Sequence, residues 1–91
     1  MITDEQQELL NEGIKRHKAI QAEHSAGRTD AKKLETLIGL RMKKFAHEYT
    51  ITHIRYGYDG YICARGKKWL KTGLLSKYEH DIGPITPKAF E

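Results

Sequence analysis

Aromatic and basic side chains alternate between residues 55 and 71: Arg55, Tyr56, Tyr58, Tyr61, Arg65, Lys67, Lys68, Trp69 and Lys71. Nucleic acid suits this mixture, because Lys and Arg neutralise phosphates and release counterions while Tyr and Trp offer flat faces on which unpaired bases stack. A two-stranded ribbon bearing such side chains also fits the major groove of a duplex. These nine residues are the expected binding surface. They have a competing structural use: Tyr56, Tyr58 and Trp69 as the sheet side of a core, with the bases keeping its outer edge soluble. Arg41, Lys43 and Lys44 either extend the basic surface or complement a helix C-terminus.

Other chemistries find less support. Of five histidines (His17, His24, His47, His53, His80), His17 and His24 fall two turns apart on one helix face. No HExxH, CxxC or His-x-His spacing brings three or four ligands together, so neither a metal nor a cofactor is expected. Cys63, the one cysteine, cannot make an intramolecular disulfide or a thiolate-rich zinc site. It reads as a small strand hydrophobe in a reduced, cytoplasmic protein. Acid-base cleavage of RNA would draw on His53, Arg55, Tyr56, Arg65 and His80, with Arg holding phosphate charge and His or Tyr carrying protons. In size, basicity and helix-helix-sheet order the chain resembles the ribosome-dependent mRNA interferase toxins. That resemblance implies a small ribonuclease-like toxin as a minor alternative. The family's opening strand is missing here and no motif matches residue by residue, so no catalytic residue is assigned and a non-enzymatic protein is expected. The stretch RYGYDGYICAR shares glycines and aromatics with RNA-recognition domains, but an Asp-Gly turn falls inside it and the helix order differs.

The chain has 91 residues, one small domain by length, with Leu, Ile and Phe making about 21% and no Val. A modest core is expected, with strands built from Ile, Thr and Tyr. The opening MITDEQQELL is acidic and no apolar run approaches the roughly 20 residues of a membrane span, so neither a signal peptide nor a membrane partner is expected. The net charge of +4 hides a segregation: residues 1–14 carry −4, residues 15–49 and 50–78 carry +5 each, and the last thirteen carry −2. A basic, aromatic middle between acidic ends points to nucleic acid or a nucleoprotein complex as partner. Tyr, Trp and Arg are also the residues enriched in protein interface hot spots. The alternative is therefore a protein-protein regulator, an inhibitor or adaptor of a host or defence complex of the kind phage and other mobile elements encode.

The elements that must position these residues follow from pattern. Thr3-Asp4-Glu5-Gln6 has capping-box spacing, and Leu10, Ile14, His17 and Ile20 recur at helical spacing, predicting a first helix from residue 4 to about Ser25 with Gly27 as its cap. Its thin apolar stripe, with Leu9 left over beside Leu10, suggests a docking or homodimer face. Thr29 or Asp30 caps a second helix whose Leu34, Leu37, Ile38, Met42, Phe45 and Tyr49 trace one wide face. An antiparallel helical hairpin over residues 1–49 would pair Leu10 with Phe45, Ile14 with Met42, His17 with Ile38 and Ile20 with Leu34. Residues 50–80 are expected to form a β-hairpin or three-stranded sheet plus a short helix near 73–80. A two-residue turn at Asp59-Gly60 would pair Tyr58 with Tyr61, Tyr56 with Cys63 and Ile54 with Arg65. Residues 81–91, with two prolines, read as an extended tail. The expected class is α+β.

Overall fold

A computed structural model describes residues 2–18, 24–57 and 60–91. Ile20, Tyr58, Asp59 and the side chain of His24 lie outside the described residues. In chain order come α1 (Asp4–Lys18), α2 (His24–Lys33), a 3-10 turn (Leu34–Leu37), β1 (Arg41–Lys44), β2 (His47–Tyr56), β3 (Ile62–Trp69), β4 (Leu75–Pro84) and a 3-10 turn (Pro87–Phe90). The class is α+β: two helices precede a four-stranded antiparallel sheet in the order β1-β2-β3-β4.

The capping box forms as its spacing dictates. The Thr3 amide donates to Gln6 Oε1 at 2.9 Å and the Gln6 amide to Thr3 Oγ1 at 3.1 Å, satisfying amides that the first helical turn leaves without partners. Gly27 does not cap α1. It lies inside α2, where an added Cβ would stand 2.1 Å from the Tyr56 ring. The glycine is there so that the helix backbone can approach the sheet, and α2 packs chiefly on β2.

The second helix stops at Lys33, well short of Tyr49, because the apolar spacing of residues 34–49 has another solution. Leu34 and Leu37 are buried from the 3-10 turn, Gly39 takes φ +94, and Met42 faces Tyr49 across the β1–β2 ladder. A period-2 pair of short strands thus buries the residues that a helical period also aligns. Phe45, expected against Leu10, is 85% exposed in the turn between β1 and β2. Residues 73–80 are likewise turn and strand rather than helix: Leu70, Gly73 and Leu74 close a turn, and Leu75 pairs with Trp69.

The hairpin between β2 and β3 is one residue out of the expected register. The Gly57 amide donates to the Tyr61 carbonyl at 2.8 Å, the Gly60 amide donates to the Gly57 carbonyl at 3.1 Å, and Gly60 has φ +90. This is the longer turn closed by a left-handed glycine, so Tyr56 faces Ile62, Arg55 faces Cys63 and Ile54 faces Ala64. A bulge between Ile51 and His53 then reverses the alternation of β2. Ile51, Ile54, Tyr56, Ile62 and Ala64 consequently share the core face, and His53, Arg55 and Arg65 share the other.

Lys44 reveals the shape of the sheet. Its Nζ donates to the carbonyls of Ile82 at 2.7 Å and Pro84 at 2.9 Å. The two edge strands of a flat four-stranded sheet would be about 14 Å apart at the usual strand spacing, beyond a lysine side chain. The sheet is therefore curled, and its concave side holds Met42, Ile51, Ile62, Ala64, Ile82 and Ile85 with Leu10, Leu34, Leu37 and Phe90. Leu9, read as a leftover docking residue, is half-buried against this cluster.

Candidate functional site

The nine candidate residues separate. Tyr56 points to the core side, against Gly27 and 5.6 Å below the Arg16 guanidinium. Tyr61 stacks on His17 with ring centroids 4.2 Å apart. Tyr58 lies outside the described residues. Arg55, Arg65, Lys67 and Trp69 share the face of the sheet turned away from the core. Lys68 pairs with Tyr49 on the opposite face, and Lys71 occupies the exposed β3–β4 turn.

The two arginines of this surface are matched by acids. Arg55 Nη2 lies 3.7 Å from Asp81 Oδ1, and Arg65 Nε and His53 Nδ1 lie 4.0 and 3.5 Å from Glu79. Arg65 and Asp81 are direct cross-strand partners, as are Lys67 and Glu79. The acids of β4 thus neutralise the part of the surface nearest the β2–β3 turn. Such exposed pairs contribute little stability, but they lower the local potential.

Toward the other end of the sheet the balance changes. No residue from Lys67 to Asp81 is buried, and Leu70 to Leu75 and Lys77 to Asp81 are all exposed. Lys67, Lys68, Lys71 and Lys77 occur without an acid among residues 67–78, and no ion pair among the described residues engages them. Two further side chains join this end: Arg41, weighed in the sequence as an extension of the basic surface, and Tyr78, which sequence reasoning left out of it. Arg41, on β1, stacks its guanidinium 4.3 Å from the Trp69 ring centroid and bonds to Glu48, while the Trp69 indole N–H donates to Thr50 Oγ1 at 2.8 Å. Tyr78 is 76% exposed. It belongs to residues 76–78, which all lie opposite Lys68 because the β3–β4 register shifts there, and its amide donates to Ser76 Oγ at 3.2 Å. A bulge of this kind turns a side chain out of the ladder. The available signal was alternation in Leu75-Ser76-Lys77-Tyr78-Glu79, which a helical reading of Leu70, Leu74, Leu75 and Tyr78 obscures.

A cleft of about 430 Å³ opens at this end, walled by Arg41, His47, Lys68, Trp69, Leu70 and Lys71 among others. Among the described residues no group of three or more His, Cys, Asp or Glu is placed to hold a metal, and no helix is long and apolar enough to cross a membrane. No family model, no curated protein and no solved structure matches the chain.

Proposed function

We propose that the protein is a small non-enzymatic nucleic-acid-binding or nucleoprotein-associated accessory module, acting in the cytoplasm. Its contact surface is the uncovered end of the sheet from Lys67 to Tyr78, with Arg41 and Trp69. The observation that carries this reading is the charge balance: Asp81 and Glu79 lie within ion-pair distance of Arg55 and Arg65, whereas no ion pair among the described residues engages Lys67, Lys68, Lys71 or Lys77, and of these only Lys67 faces an acid, Glu79, across the ladder. Uncompensated cations beside exposed aromatics fit a phosphate backbone that carries bases.

Salt dependence tests it. With four lysines on phosphates, log K for a single strand should fall with log[salt] at a slope of about −3, and Lys71→Ala should make that slope shallower by roughly 0.7. Absence of polynucleotide binding at low salt would end the proposal. A second reading, a protein-protein regulator that inhibits or adapts a host or defence complex, draws on Phe45, Leu70, Leu74 and Leu75, large apolar side chains left exposed. Purification from the native host with and without nuclease separates the two. Retention of one stoichiometric protein after nuclease treatment favours the second.

A further inference from the structure

We propose that Arg41 and Trp69 form a stacking platform for one unpaired nucleobase, which makes the ligand single-stranded nucleic acid; this rests on the nucleic-acid reading above. The platform is assembled from three strands. Thr50, on β2, lies directly between Arg41 on β1 and Lys67 on β3 in the ladder, so these residues share one face. Trp69 is two residues further along β3 on that same face. Its indole N–H donates to Thr50 Oγ1, and the Arg41 guanidinium carbon lies over the ring, 4.3 Å from its centroid, with Nε donating to Glu48. Both rotamers are therefore set before any ligand arrives, which lowers the entropic cost of binding.

Trp69 covers one side of the guanidinium, yet the Arg41 side chain remains 57% exposed. A base would use the side of the guanidinium away from the indole. Nucleobases stack on arginine planes as they do on aromatic rings, and a base here would complete a Trp-Arg-base column. The adjoining cleft, of about 430 Å³, has the volume of a small-molecule site, and Lys67 on the same face as Trp69 and Lys71 on the cleft wall are the cations available to the phosphates flanking that base. A base in a duplex is already stacked on both sides and cannot lie flat on this column without leaving the helix. The geometry therefore discriminates by strandedness rather than by sequence.

Trp69 is the only tryptophan, so tryptophan emission, excited selectively over the tyrosines, reports on the platform alone. The full chain is titrated at low salt with a short labelled DNA strand of mixed sequence, the matching RNA strand and the DNA duplex, following label anisotropy and tryptophan emission together. The expected result is single-strand binding about ten-fold tighter than duplex binding, with quenching of Trp69. The DNA and RNA arms show which strand the protein prefers. Arg41→Lys keeps the charge and loses the plane, so it should weaken single-strand binding roughly five-fold or more while leaving the salt slope unchanged. Trp69→Leu should cost as much, and the double variant little more than either, because both disrupt one column. Circular dichroism of each free variant confirms that it folds. Duplex binding as tight as single-strand binding, unchanged emission on saturation, or additive effects in the double variant would overturn the platform and leave the nucleic-acid reading intact. No binding of any strand would overturn both.

Discussion

Arg16 is the only charged side chain buried among the described residues, and it joins three parts of the chain. From α1 its Nη1 donates to the Gly60 carbonyl at 2.9 Å and its Nη2 bonds to Asp30 on α2 at 2.8 Å, while its guanidinium sits over Tyr56 of β2. Removing the cation leaves Asp30, whose side chain is 15% exposed, and a buried carbonyl without a partner. Arg16→Met should therefore destabilise the fold by about 3 kcal/mol, because a broken buried pair strands the surviving charge. The expected readout is a lower denaturant midpoint at unchanged slope. Asp30→Asn keeps an acceptor and should cost less. An unchanged midpoint in Arg16→Met would show that the pair does not hold the helices on the sheet. Nothing in the sequence singled out Arg16. It stands between Lys15 and His17 in a basic helix end, and its role depends on Gly60, which is forty-four residues away.

The turn between β1 and β2 shows at the scale of an element why part of the fold was hidden. Phe45 and Ala46 both adopt left-handed conformations, with φ of 51 and 66, the backbone of a two-residue turn that usually takes Asn-Gly or Gly-Gly. The left-handed region costs an ordinary residue roughly 1–2 kcal/mol. Ala46→Gly should consequently stabilise the protein by about 1 kcal/mol after the added freedom of the unfolded chain is deducted from the relieved strain, and raise Tm by about 4 °C. A drop in Tm would mean that the turn is not strained. With no glycine, asparagine or proline to mark it, residues 41–49 offered only apolar spacing, and that spacing fits a helix as well as a strand pair. Where local chemistry was explicit the reading held. The Thr3–Gln6 box starts α1 where expected, and Asp59-Gly60 marks a hairpin. Its length escaped detection, because a glycine at that position serves the two-residue and the three-residue turn alike. That one-residue difference, with the bulge after Ile51, decided which of the tyrosines and arginines face the core and which face water.

On the scale of the whole molecule, extents of 44 × 24 × 21 Å and burial confined to residues outside 67–81 describe a core at one end and an uncovered ribbon at the other. The charge segregation visible along the chain takes a different form in space. Acids of the C-terminal stretch fold back onto Arg55 and Arg65, and the net positive charge moves to the ribbon. A ribbon exposed on both faces has few apolar contacts to hold it shut, so its amides should open more easily than those of the core strands. Hydrogen exchange should be fastest in residues 70–79 and slowest around Ile51, Ile62 and Ala64. Saturation with single-stranded nucleic acid should slow exchange in residues 41–50 and 67–79 together, because the proposed column takes Arg41 from β1, Thr50 from β2 and Trp69 from β3. Protection limited to residues 70–79 would place the contact on the β3–β4 turn alone and remove Arg41 from it. Protection at residues 53–65 instead would return the interface to the arginines that Glu79 and Asp81 neutralise, and the charge argument for the ribbon would then fail.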